Sequence, residues 1–253
     1  MNTPVDSAEW IRRFHPSDDS KARLVCLPHA GGSAGFYFPF SAALTPSVET
    51  LTVQYPGRQD RYRETPAGSI AELAAPVVQA LLAWTDRPLA LFGHSMGAVV
   101  AFEVARRLEN DHGITLAHVF ASGRRAPSRV REENVHQRDD DGIVAEMREL
   151  SGTDARVLGD EEILRMVLPA IRADYRAIET YRCEAGAVIS SPVTVFTGDN
   201  DPRTTLEEAE SWRDHTTGDF RIQVYEGGHF FLVNHQPALV SAVTDTLARA
   251  GAR

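Results

Sequence analysis

The pentapeptide Gly93-His94-Ser95-Met96-Gly97 joins a short apolar run, Leu89-Ala90-Leu91-Phe92, to an amphipathic stretch, Ala98–Leu108. A serine set in G-x-S-x-G, with a strand before it and a helix after it, is arranged for nucleophilic attack. The serine must occupy a sharp turn, and side chains at positions 93 and 97 would collide with neighbouring backbone. The turn lifts the hydroxyl out of the sheet and sets it at the positive end of the following helix. A serine alcohol is a poor nucleophile near neutral pH, so Ser95 calls for a base, and the base for an orienting carboxylate.

Nine histidines compete for the role of base. His229, in Glu226-Gly227-Gly228-His229-Phe230-Phe231-Leu232, follows an apolar run and precedes the last helical pattern. A loop at the carboxyl end of a strand there can reach Ser95. His94 points off the turn and is expected to pack or hydrogen-bond locally. His15, His112, His118, His136 and His215 are expected at the surface, and His235 against the last helix. The acid should follow the strand Val193–Thr197, in Gly198-Asp199-Asn200-Asp201-Pro202. Asp199 and Asp201 are both available. Asp199 comes first and suits an Asx turn, whereas Asp201 stands further out before a stiffening proline and is better placed to reach His229. Two backbone N–H groups are needed to hold the developing oxyanion. The residue after the nucleophile, Met96, supplies one. Pro28-His29-Ala30-Gly31-Gly32, following an early strand, supplies the second, with Ala30 the expected donor and the paired glycines allowing close approach.

These groups need a scaffold, and the hydrophobic pattern supplies one. Strands are expected at Arg23–Leu27, Thr50–Gln54, Leu89–Phe92, Val119–Ala121, Val193–Thr197 and Arg221–Tyr225. Helices are expected at Phe36–Leu44, Ile70–Trp84, Ala98–Leu108, about Leu206–Asp214 and Pro237–Ala250. Short apolar strands alternating with helices imply a mostly parallel sheet covered on both faces. The alternation fails between about Arg124 and Ala187, where only helical patterns occur, at Gly142–Leu150, Glu161–Val167 and Ala170–Tyr181. A helical insertion between two strands accounts for that stretch, as a structural excursion or as a lid over a site.

Composition narrows the field. A chain of 253 residues, 43% hydrophobic and 24% charged, is ordinary for a globular protein, which excludes collagenous, coiled-coil and disordered classes. Runs of about 18 apolar residues and an N-terminal apolar segment are both lacking, so a cytoplasmic protein without membrane attachment is expected. Cys26 and Cys183 sit in no ligand or disulfide pattern, HExxH and glycine-rich phosphate loops are absent, and neither metal nor cofactor is expected. A net charge of −9 argues against nucleic-acid binding. Lys21 is the only lysine among 26 basic residues, a bias given no functional weight.

PHAGGSAGFYF, GHSMGA, GDNDP and GGHFFL, with YPGRQDR and LPAIRADYRAIETYR between them, together resemble the type II thioesterases. These are stand-alone α/β-hydrolase enzymes that accompany polyketide and nonribosomal peptide synthases. The resemblance runs from about Arg23 to Ala248. It implies a single α/β-hydrolase domain over 1–253, a helical lid at about 124–187, a Ser95–Asp201–His229 triad, and Met96 and Ala30 as oxyanion donors. It also implies the activity: hydrolysis of stalled or aberrant acyl groups from the phosphopantetheine arm of an acyl or peptidyl carrier protein.

Carrier proteins are usually acidic, so the overall charge does not steer the two together and any attraction must be local. Arg58, Arg61 and Arg63, and Arg124, Arg125, Arg129 and Arg131 at the start of the insertion, are the candidate carrier contacts. A carboxylesterase or lipase on the same fold is the nearest alternative, followed by a cyclising thioesterase domain. Met1 and the lack of a carrier-like DSL segment favour a free-standing enzyme, and nothing demands an assembly beyond a monomer. A catalytically silent binding module is the alternative of another class, and a complete triad speaks against it.

Overall fold

The computed structural model describes residues 7–150 and 160–250. Seven strands form one sheet: β1 (Ile11–Arg12), β2 (Arg23–Leu27), β3 (Glu49–Val53), β4 (Leu89–His94), β5 (His118–Ser122), β6 (Val193–Gly198) and β7 (Phe220–Tyr225). Their order is β1-β3-β2-β4-β5-β6-β7, every neighbouring pair being parallel except β1 with β3. The two-residue edge strand β1 is too short to carry a periodic signal in the sequence.

The central strands β2, β4 and β5 are buried along their whole length, as expected where helices cover both faces. Alternation splits their side chains between two cores. Val25, Leu27, Leu91, Val119 and Ala121 pack with the helices Ile70–Leu81 and Met96–His112. Leu24, Cys26, Phe92, Phe120 and Phe196 pack on the other side with Phe40 and Leu44 of the helix Phe38–Leu44 and with Leu239, Val243 and Leu247 of the last helix, Gln236–Ala250. This mostly parallel, doubly covered sheet is the α/β-hydrolase fold.

Between β5 and β6 the chain forms the helices Asp140–Leu150 and Glu161–Thr180, and residues 151–159 of the insertion lie outside the described residues. The pattern predicted a break near Pro169, because proline removes a helical hydrogen bond. The structure instead has one helix running through Pro169, capped by the Asp160 carboxylate, which accepts from the N–H groups of Glu162 and Ile163. Its apolar face closes a third small core of Val135, Ile143, Val144, Met147, Leu168 and Ile171. Among the described residues, no helix is long and apolar enough to cross a membrane.

Candidate active site

Ser95 stands between β4 and the helix Met96–His112 with φ 54° and ψ −117°, a conformation unfavourable for any residue with a side chain. Such geometry costs on the order of 1–3 kcal/mol and persists only where its surroundings enforce it. The Ser95 N–H donates to the Ser122 carbonyl at 2.8 Å, tying the turn to β5. A Cβ at position 93 would fall on the Gly97 carbonyl, and one at 97 on the Leu27 carbonyl. Both glycines of the motif are therefore required by close backbone approach.

His229 and Asp201 converge on this turn from the loops after β7 and β6. The Ser95 hydroxyl donates to His229 Nε2 at 2.9 Å, and His229 Nδ1 donates to Asp201 Oδ1 and Oδ2 at 3.0 and 2.9 Å. A carboxylate can only accept, so Asp201 fixes the tautomer that leaves Nε2 free to take the serine proton. His229 and Asp201 are buried, and Ser95 is half-buried. Asp201 is itself held by the Arg203 N–H at 2.8 Å. Asp199 serves the turn instead, its Oδ1 accepting from the Gly227 N–H at 2.9 Å and from Asn200 Nδ2 at 2.8 Å.

An aromatic shell surrounds the array. His29 packs edge-on against Phe36 and Phe230, and His94 lies against His229 and Phe230. His94 Nδ1 is 3.0 Å from the Ser122 hydroxyl, the local bond expected of it. Burial first, then the neighbouring His229 and Arg58, holds the His29 imidazole down at about 3, and burial holds His94 well below the usual range. Both rings are buried, and burial favours their neutral forms. The sequence gives no periodic signal for His29, which lies in a loop. Two other histidines depart from expectation: His118 and His215 are buried rather than at the surface, bonded respectively to the Thr194 hydroxyl and to the Ala187 carbonyl and Ser128 hydroxyl.

The loop His29–Gly32 approaches the serine from β2. The Gly31 N–H donates to Asp174 Oδ2 at 2.8 Å, and the Gly32 N–H to the His29 carbonyl at 2.9 Å. Gly31 has φ +76°, which suits glycine. With those two donors committed, the Ala30 N–H has no acceptor among the described residues. Met96 opens its helix, so its N–H belongs to the first turn and has no intrahelical acceptor. Asp174 comes from the helix Glu161–Thr180 and is completely buried. It receives Arg58 Nη1 and Nη2 at 2.6 and 2.9 Å, and Arg58 Nη1 also donates to the Gly32 carbonyl at 3.1 Å. One ion pair thus joins the insertion, the YPGRQDR segment and the glycine loop.

A cavity of about 460 Å³ opens over Ser95 and His229. The insertion lines it with the apolar Met147, Leu150, Val167, Ala170, Ile171 and Ile178, Phe36 and Phe230 add aromatic surface, and its polar wall includes Arg124, Glu133, Glu179 and Arg203. An aliphatic wall at one side of a nucleophile fits an acyl chain.

The arginines named as carrier contacts require correction. Arg58, Arg61, Arg124 and Arg125 are only 7%, 7%, 8% and 3% exposed. Arg58 is spent on Asp174, Arg61 on Glu64 and the face of Trp10, and Arg125 on Glu133. Buried guanidiniums cannot meet the surface of another protein, and charge counting along a sequence does not reveal that they are inside. Of the remaining candidates, Arg63 and Arg129 are exposed, and Arg131 is paired with Glu208.

Sheet, turn and cavity define a hydrolase-fold protein with a serine array beneath an apolar chamber. A family model described as a thioesterase domain matches residues 22–247, and the chain belongs to the thioesterase family. It is 52% identical over 244 residues to thioesterase PikA5 of Streptomyces venezuelae, covering 96% of this chain and 87% of the relative. It is 56% identical over 241 residues to a "probable cadicidin biosynthesis thioesterase" of Streptomyces griseus, covering 95% of this chain and 66% of that protein. Among solved structures, the type II thioesterase BorB from the borrelidin biosynthetic cluster superposes with a TM-score of 0.89 at 49% identity, covering 97% of this chain and all of that one. YbtT, a type II thioesterase from the yersiniabactin pathway, gives 0.86 at 28% identity, covering 95% of this chain and 99% of that one.

Proposed function

We infer that the chain is a serine thioesterase that removes acyl groups from the phosphopantetheine arm of acyl or peptidyl carrier proteins, clearing stalled or aberrant chains in polyketide or nonribosomal peptide synthesis. The observation that carries this reading is the continuous Ser95–His229–Asp201 hydrogen-bonded array beneath an aliphatic chamber, in a chain of the thioesterase family. YbtT and ClbQ, solved structures described as coming from NRPS/PKS pathways, support the pathway class.

In this mechanism, His229 Nε2 takes the Ser95 proton as Oγ attacks the thioester carbonyl. Asp201 steadies the imidazolium, and the N–H groups of Met96 and Ala30 receive the oxyanion. The carbon–sulfur bond breaks and the pantetheine thiol leaves with the proton from His229. Water, deprotonated by the same imidazole, then attacks the acyl-serine and releases the carboxylic acid. The helices Asp140–Leu150 and Glu161–Thr180 act as the lid, because they supply the apolar wall and one of them holds Asp174 against the glycine loop.

The test is hydrolysis of an acyl series on phosphopantetheinyl carrier protein and on matched oxyesters. Ser95→Ala should lower turnover by about a millionfold, the loss typical of deleting such a nucleophile. Oxyester preference would transfer the protein to the carboxylesterases. No Ser95-dependent hydrolysis of either class would leave a binding module.

A further inference from the structure

Among the described residues, the polar wall of the chamber holds one guanidinium that makes no ion pair or hydrogen bond. Arg125 and Arg203 both pair with Glu133, and Arg203 also with Glu146. Glu179 is taken by His136 and by the N–H of Val135. Arg124 has none of this. It is 8% exposed, it lines the chamber, and no guanidinium nitrogen of it has a hydrogen-bond or ion-pair partner among the described residues; Nε is both buried and unbonded. Its backbone is fixed, since its carbonyl accepts from Trp212 Nε1 at 2.8 Å. It is also near the nucleophile, two residues beyond Ser122, whose carbonyl holds the Ser95 N–H.

Buried arginines are ordinarily matched by carboxylates, because an unpaired buried charge is costly. Here burial first, then the cationic neighbours Arg125 and Arg203, outweighs the carboxylates of Glu133 and Asp201, neither of them bonded to it, and draws the guanidinium down to about 9, so it remains protonated at neutral pH. A charged, planar donor held in a half-apolar chamber beside the reacting serine has the chemistry to receive an oxygen.

We propose that Arg124 is a specificity-determining residue that binds an acceptor oxygen carried by the acyl group beyond its thioester carbonyl. This rests on the thioesterase reading above. It narrows the substrate class to acyl chains bearing a 3-hydroxyl, 3-oxo or carboxylate group. A purely hydrocarbon chain would desolvate the guanidinium and return no hydrogen bond. An oxygenated chain supplies the missing partner.

The experiment compares butanoyl, 3-hydroxybutanoyl and malonyl thioesters of pantetheine on the wild type, Arg124→Met and Arg124→Lys, with Ser95→Ala as the control for chemistry. Methionine keeps an unbranched apolar stem and removes the charge and the donors. In the wild type, kcat/KM should favour the oxygenated chains. In Arg124→Met the ratio of oxygenated to butanoyl substrate should fall by about 10- to 100-fold, the range for losing a charged hydrogen bond. Arg124→Lys should recover part of the ratio. A fall for 3-hydroxybutanoyl alone identifies a neutral oxygen as the partner, and a fall for malonyl alone identifies a carboxylate. Ratios within twofold of wild type for both oxygenated substrates, in a variant that still hydrolyses butanoyl thioester, would overturn the proposal while leaving the thioesterase reading intact. Absence of Ser95-dependent hydrolysis of any thioester would instead overturn that reading.

Discussion

The ion pair between Arg58 and Asp174 gives a sharp test of how the insertion and the glycine loop depend on one another. Asp174 is completely buried and Arg58 is 7% exposed, and together they hold the Gly31 N–H and the Gly32 carbonyl. Arg58→Met leaves the Asp174 carboxylate with a single backbone donor. Removing one partner of a buried pair costs about 3–5 kcal/mol, and in a domain of this size each kcal/mol moves Tm by about 2–4 °C. Arg58→Met should therefore melt roughly 6–20 °C below wild type in a thermal scan. Asp174→Asn keeps the volume and can still accept from Gly31 but leaves Arg58 uncompensated, and should lose a similar amount. The double variant Arg58→Met/Asp174→Leu buries no charge, so it should be more stable than the two single losses added together, by 1 kcal/mol or more in a double-mutant cycle. Kinetics supply the second readout. Loosening the loop misplaces Ala30 without touching Ser95, so kcat of Asp174→Asn on a pantetheine thioester should drop by about 10- to 100-fold, less than the full loss of an oxyanion donor, with KM nearly constant. If Arg58→Met melts within 2 °C of wild type, or Asp174→Asn keeps full kcat, the pair neither holds the insertion nor positions the loop.

Stability should fall in mild acid. His29 and His118 are held down at about 3 and about 4, and His94 well below its usual range, chiefly by burial. Their folded pKa values lie below the unfolded value of about 6.5, so the unfolded chain binds more protons as pH drops, and stability present above pH 6.5 is lost below it. His29 and His118 then each contribute on the order of 2 kcal/mol of loss by pH 5, and urea midpoints of wild type and His118→Gln between pH 7.5 and 5 should converge, with parallel curves counting against the assignment. Gly97→Ala places a Cβ on the Leu27 carbonyl, so the elbow must shift; soluble protein with wild-type turnover would contradict the packing. Thiolate leaves readily, so the water-dependent half should limit turnover and a chromogenic acyl thioester should show a burst equal to the enzyme concentration. A linear trace from time zero would place the slow step earlier.

What the sequence could reveal depended on how local each signal is. The elbow is legible because its physics is contained in five residues and their flanks: glycines at 93 and 97 are demanded by backbone contact, and the strand and helix on either side are continuous apolar patterns. The hydrogen-bonded partners of Ser95 follow from chain order plus loop position, and Asp201 separates from Asp199 because only one of two neighbouring carboxylates can serve the turn while the other reaches the imidazole. Asp174 was hidden by the opposite circumstance. It is 143 residues from Gly31 and 116 from Arg58, and on a helical wheel it is one more polar residue in an amphipathic pattern. The same logic misassigned the arginines. Spacing in YPGRQDR and SGRRAP makes them look like exposed charge, but burial is a property of what the insertion packs against. Arg58 became internal by acquiring a carboxylate 116 residues away, whereas Arg61 and Arg125 pair with the nearby Glu64 and Glu133. Arg124 became internal without an ion pair among the described residues, and the same folding event that concealed the others left it facing the chamber.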